Sequence, residues 1–188
     1  DNPYLSRQQV EAIERNAKDA NWWRVYGEGL TGGLEGLVYP QIETIDALPE
    51  DLTGEDVKFV TGLDFGFQND PTAIVKIYMR GMNLYIDEVC YETKMLNRTI
   101  AERLKDEGLH RTITVCDNAE QKSIIELRGL GCNTIPCIKG KGSIRAGIQQ
   151  VKQFNLFVTK RSTNVLDEAD NYTYVKDNLT DTYTNEPV

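Results

Sequence analysis

Apolar residues in positions 5–19 recur as Val10, Ile13 and Ala17 among charged neighbours, the spacing of an amphipathic helix, with Asn2 or Ser6 as its cap. The period breaks at "NWWRVYGEGLTGGLEGLVYP", which predicts a connector ending in an extended segment, and "QIETIDALPEDLTGED" at 41–56 reads as polar loop around Pro49 and Gly54. From Val57 the signals become regular. Residues 57–64 and 72–80 are β-rich runs, and "RGMN" is a turn into "LYIDEVCYE" at 84–92, so a three-strand meander is predicted. Asn97 is placed to cap a helix reaching about Gly108, with Ile100, Ala101 and Leu104 on one face. "RTITVCD" follows as a short strand ending at Asp117. A helix near residues 120–130 then carries Ile124, Ile125 and Leu127 and stops at Gly129 and Gly131. "NTIPCI" predicts a fifth strand, and "SIRAGIQQVKQF" a helix with Ile144, Ile148, Val151 and Phe154 inward. After "LFVTK" come a helix near 162–171 and "YTYVKDNLTDTYTNEPV", whose "NLTD" centre predicts a hairpin.

The order is strand, strand, strand, helix, strand, helix, strand, helix. Three antiparallel strands followed by helix-linked strands imply an α/β fold with a mixed five-stranded sheet flanked by helices, because parallel neighbours need crossover connections. This order resembles the ribonuclease H-like fold. In that fold the fourth strand lies beside the first and parallel to it, and adjacent strands stand about 4.8 Å apart. Asp64 and Asp117 end those two strands, so both carboxylates are predicted to face one site.

Composition narrows the classes. The 188 residues suffice for one well-cored domain and an appendage, and the first residue is Asp1, which suggests a piece of a longer protein. No run is long and apolar enough for a membrane span and none reads as a signal peptide, so a soluble intracellular protein is expected. Cys90, Cys116, Cys132 and Cys137 form no CxxC pair and read as buried thiols. His110 is the only histidine, which leaves zinc few ligands. A net charge of -8 argues against a domain that grips nucleic acid by electrostatics alone, but not against a nuclease. A carboxylate site attracts phosphate once cations fill it.

Two carboxylates about 4 Å apart repel by about 1 kcal/mol in water and about 4 kcal/mol at an effective dielectric of 20. A divalent metal relieves that repulsion, and oxygen-only ligands suit Mg²⁺ or Mn²⁺. Two such ions can activate water and stabilise the leaving oxygen of a phosphodiester. Taken singly, Asp64 is better read as a helix or turn cap and Asp117 as an N-cap for the helix that follows; their pairing in this strand order favours metal. Gly62 and Gly66 then mark places where a strand or a substrate comes close.

"GLDFGFQNDPTAIV", "VCDNAEQKSIIELRGLGCNTI", "IKGKGSIRAGIQQVKQF" and "YTYVKDNLTDTYTNEPV" resemble, in this order, the C-terminal nuclease domain of the large terminase subunit of tailed bacteriophages. The glycine-rich stretch before them is similar to the segment that joins the packaging ATPase to that nuclease. The resemblance implies a metal-dependent endonuclease with a two-metal Mg²⁺ or Mn²⁺ site that cuts concatemeric double-stranded DNA in the host cytoplasm. It also implies an N-terminal ATPase domain in the full protein, and the small terminase subunit and portal as partners. Residues 1–56 become the helix and connector from that ATPase and 57–188 the nuclease, truncated or disordered beyond 188. Asp64 and Asp117 match the first two metal ligands, and Glu120 matches a recurring acidic position that is equally a first-turn helix acid. Asp70 reads as a turn residue before Pro71 that can lie near the site. The family's third acid, on a helix shortly after "TNEPV", is not present in this chain. Asp167, Asp170, Asp177 and Asp181 read as caps and turn residues rather than substitutes.

Two further motifs bear on function. Lys139, Lys141 and Arg145 stand among glycines before a helix, where they can meet DNA phosphates or only solvent. Gly27, Gly29 and Gly32 spell a dinucleotide fingerprint, but "GLEGLVYP" after them cannot be the helix it requires. Two alternatives remain at this level: a nucleotide-binding domain of the actin and sugar-kinase type, which shares the strand order, and a non-catalytic module docking to the motor or portal.

Overall fold

The computed structural model describes residues 36–177 and 182–187. The helix expected at 5–19, the glycines of the fingerprint and Asp181 lie outside the described residues. The strands are β1 (Ile42–Ile45), β2 (Val57–Asp64), β3 (Thr72–Arg80), β4 (Asn83–Glu92), β5 (Thr114–Cys116), β6 (Thr134–Pro136), β7 (Asn155–Thr159), β8 (Tyr174–Asp177) and β9 (Thr182–Pro187). The helices are α1 (Asn97–Asp106), α2 (Gln121–Gly129), α3 (Ser143–Val151) and α4 (Thr163–Asn171). One sheet runs in the order β1-β7-β4-β3-β2-β5-β6, and β8 and β9 form a separate hairpin.

The expected five strands make up the run β4-β3-β2-β5-β6. Strands β2, β3 and β4 are antiparallel neighbours, whereas β5 joins β2 in parallel and β6 joins β5 in parallel. Gly81, at φ +59, makes the tight turn between the paired residues Arg80 and Asn83. The sheet extends beyond expectation by two strands. β7 lies parallel to β4, and β1 lies parallel to β7 with Ile42 opposite Leu156. β1 thus falls inside the stretch read as polar loop.

One sheet face packs on α1 and α2. Leu63, Ile74, Cys90 and Cys116 from the strands meet Ile100, Ala101, Leu104, Ile124 and Leu127 from the helices in a single apolar cluster. Fully burying each large aliphatic side chain there contributes about 1.5–3 kcal/mol. Cys90, Cys116 and Cys132 are buried and Cys137 is half-buried. Burial pushes the Cys90 and Cys116 thiols up, to about 11 and about 12, which leaves them protonated and inert. Three local expectations fail. Leu96 rather than Asn97 occupies the cap position of α1, and the Asn97 amide donates to Glu126 instead. Ile125 is exposed on α2, and on α3 only Ile148 is fully buried while Ile144 is 65% exposed.

The opposite face lines a groove of about 1050 Å³, walled by Val60, Val75, Ile77, Val158, Val165 and Ala169 among others. A bulge in β4 shapes one wall. The register slips after the Ile74–Cys90 pair, so Val75 faces Glu88. Alternation shifts by one, which turns Cys90 into the core and lets both Glu88 and Tyr91 border the groove. Glu88 also fixes α4. Its carboxylate accepts the Asn164 and Val165 backbone N–H groups at 3.1 Å each, which supplies the N-terminal cap that α4 lacks locally.

Candidate functional site

Asp64 closes β2 and Asp117 follows β5 directly. Because Leu63 pairs with Cys116 in the parallel register, the next residue on each strand brings the two aspartates side by side. Both stand on the groove side of the sheet, beyond Gly62 and Val115. Asp64 is exposed, not enclosed as its apolar surroundings in the chain suggest. An interior strand carries it to its C-terminal end and stops.

The two carboxylates are held differently. Asp117 accepts the Ala119 backbone N–H on Oδ1 at 3.0 Å, an Asx turn leading toward α2, and the Lys139 ammonium lies 2.7 Å from the same oxygen. The Lys139 hydrogen bond, followed by that of Ala119, holds the Asp117 carboxyl below the usual carboxylate range. Asp64 is pushed the other way. Protein atoms displace enough water around its carboxylate to raise its pKa even though the residue as a whole is exposed, and the charges of Asp117 and then Glu168 add to the rise. Lys139 opposes it only in part.

The loop after β2 frames the site. Thr72 Oγ1 donates to the Gly66 carbonyl at 2.8 Å, and Lys94 N donates to the Phe67 carbonyl at 2.6 Å, which ties both ends of the loop down. A side chain at Gly66 would collide with the carbonyls of Asp70 and Pro71, and one at Gly62 would press on Val75 of β3. Gly62 therefore answers to a neighbouring strand, and Gly66 to the return of its own loop. Asp70 borders the groove together with Asp64 and Asp117. Glu120 does not: it lines a separate cavity of about 500 Å³ with Phe65 and Met95, and accepts from Ser123 Oγ at 3.2 Å. It stands at the N-cap position of α2, just before the first turn in which a helix acid was expected, and its side chain makes no cap hydrogen bond. Among the cations of the basic loop, Lys139 reaches the aspartates, whereas Lys141 and Arg145 are exposed.

Glu168 was not among the sequence candidates. It sits on α4 beside Asp167, projects into the groove with Val165, Ala169 and Tyr172, and accepts the Tyr91 hydroxyl at 2.8 Å. The spacing 165, 168, 169, 172 is one helical face, so an acid interrupting that apolar stripe was the available signal. Asp167 and Asp170 flank it without lining the groove.

The oxygen-only donors, the unrelieved charge on Asp64 and an ammonium already drawn to Asp117 fit a hard divalent cation of the Mg²⁺ or Mn²⁺ kind. Asp64 and Asp117 are the side chains positioned to hold it. Among the described residues no three His, Cys, Asp or Glu side chains converge closely enough to bind an ion unaided. No helix among them is long and apolar enough to cross a membrane.

Residues 64–188 match the family model described as the terminase RNase H-like domain. The large subunit of the PBSX phage terminase from Bacillus subtilis (strain 168) is 30% identical over 187 residues, 94% of this chain and 42% of the relative, so the chain spans less than half of that protein. Among solved structures, the large-terminase nuclease domain of bacteriophage SPP1, with bound Mn, superposes with a TM-score of 0.66 at 18% identity, covering 81% of this chain and 89% of that one. The large-terminase nuclease of thermophilic phage G20c, with bound magnesium, gives a TM-score of 0.55 at 16% identity over 82% and 87% of the two chains.

Proposed function

The chain belongs to the terminase RNase H-like domain family, and from that premise we propose that it is the metal-dependent endonuclease domain of a viral genome-packaging terminase, cutting concatemeric double-stranded DNA. The observation that carries the reading is the in-register pairing of Asp64 and Asp117 at the ends of adjacent parallel strands. Structures of two similar nuclease domains with bound Mn and magnesium support the choice of metal.

A pair of divalent ions, when bound, supplies the positive charge that activates a water and stabilises the leaving oxygen of the phosphodiester. Asp64 and Asp117 would hold that charge at the C-terminal ends of β2 and β5. The Ala119 N–H fixes the orientation of the Asp117 carboxylate, so the ligand is set before substrate arrives. Lys139, Lys141 and Arg145 meet the DNA backbone from the neighbouring loop, while Asp70 and Glu168 keep the rest of the rim negative. With a net charge of -8, DNA binding by this domain is weak and salt-sensitive. The family match weighs against the actin and sugar-kinase alternative. As part of the same proposal, residues 1–56 lead from a packaging ATPase, and the portal and small subunit are the partners in the host cytoplasm.

The test is cleavage of supercoiled plasmid by the full protein with Mn²⁺ or Mg²⁺. Cutting is expected to vanish with chelator and to fall about 100-fold or more in Asp64→Asn and Asp117→Asn, with DNA retained on the protein. Cutting that survives chelator, or both substitutions, overturns the reading.

A further inference from the structure

Lys139 is the ammonium that touches the aspartate pair, and the way its loop is mounted gives the contact a second meaning. The loop is fixed at its start: Cys137 N donates to the carbonyl of Cys116 at 2.8 Å, on the residue just before Asp117. Two residues later Lys139 is therefore within reach of the carboxylate. Past it the chain is open. Gly140 and Gly142 have nothing within 4 Å of where a side chain would stand, and Gly142 sits at φ +79. The Lys139 side chain is 52% exposed, so the amine can leave for solvent without unpacking anything.

Its target oxygen is already occupied. Asp117 Oδ1 receives both the Ala119 N–H at 3.0 Å and the ammonium at 2.7 Å, one donor fixed by the backbone and one free to swing. A divalent ion on Oδ1 would lie within about 5 Å of the amine, and one on the other oxygen within about 7 Å, and cations so close repel each other even in water. We infer that Lys139 is a built-in counter-cation of the Asp64–Asp117 pair, which a divalent metal must displace in order to bind. The inference rests on the metal-dependent reading above. Lys139 thus keeps two adjacent carboxylates compatible with the fold, raises the metal concentration at which the site fills, and, once displaced, sits next to the metal where a phosphate would arrive.

Mn²⁺ binding measured by electron paramagnetic resonance on the full protein tests this without any turnover. Lys139→Met, which keeps the length and removes the charge, is expected to bind Mn²⁺ about tenfold more tightly at low salt, with the gap shrinking as salt screens the amine. Lys139→Arg should bind like the parent, and Lys141→Met, which removes a charge from the same loop without a partner at the aspartates, should change little. Equal or weaker Mn²⁺ affinity in Lys139→Met overturns the inference, as does an equal gain in Lys141→Met, which would mark a diffuse loop charge. A parent that binds no Mn²⁺ overturns both this inference and the nuclease reading. A parent that binds and cuts, with Lys139→Met no tighter, overturns this one alone.

Discussion

Asp87 is a charge sealed in the fold, 2% exposed in the middle of β4. Burial opposes its ionisation, but Arg161 Nε and Thr159 Oγ1 each donate to Oδ1 at 2.7 Å and together hold its carboxyl below the ordinary range. A depressed acid contributes its full stability above the unfolded value of about 3.9, and that contribution is lost as pH falls through it toward the folded value. Asp87→Asn is therefore expected to cost about 2–4 kcal/mol near neutrality, by stranding Arg161 and the hydroxyls, and to flatten the acid limb of stability against pH in urea melts. An unchanged limb would mean the charge is not what Arg161 holds. The same scale explains what could be read beforehand at the site. Asp64 and Asp117 were legible because each ends a recognisable strand, and the resemblance of the strand order to the ribonuclease H-like fold pairs them. Glu168 was not, because along the chain it stands among acids that suit caps and turns, and only the helical face formed by Val165 and Ala169 sets it apart.

Elements were legible wherever their burial was regular. Strands β2 to β4 and helix α1 have a clear inside and outside, and their residues alternate or recur accordingly. β1 has none: Ile42 and Ile45 are half-buried, Glu43 and Thr44 are exposed, and the strand owes its existence to pairing with β7. Helix α3 misled for a related reason. It borders an open groove, so Ile144 and Val151 are not required to face a full core. The loop between β2 and β3 is set by backbone contact, and it yields a sharp contrast. Gly66→Ala drives a methyl into the carbonyls of Asp70 and Pro71, and is expected to cost about 2 kcal/mol or more and to move Asp70 away from the aspartates. Gly140→Ala meets open space and should stay within about 0.5 kcal/mol of the parent by urea denaturation. Similar losses for the two would refute the steric account.

At the scale of the molecule, the chain enters the fold at the far edge from the aspartates. Residues 36–38 are joined to 172–174 by two backbone hydrogen bonds of 2.8 Å, and β1 then lies along β7, four places across the sheet from β2. That arrangement acts as a mechanical fuse. Tension applied at residue 36 falls first on the 36–38 bridge and on a four-residue edge strand, and both can peel away before any load reaches β2 or β5. Releasing residues 36–56 frees roughly 20 residues with a contour of about 70 Å, a lengthening of about 50 Å once the roughly 19 Å across four strand spacings is subtracted. Optical tweezers pulling from the upstream end should record that step at low force, ahead of one cooperative rupture of the remaining sheet; a single rupture with no early step would exclude it. Load applied at that edge is spent on β1 while the register of Asp64 and Asp117 stays undisturbed.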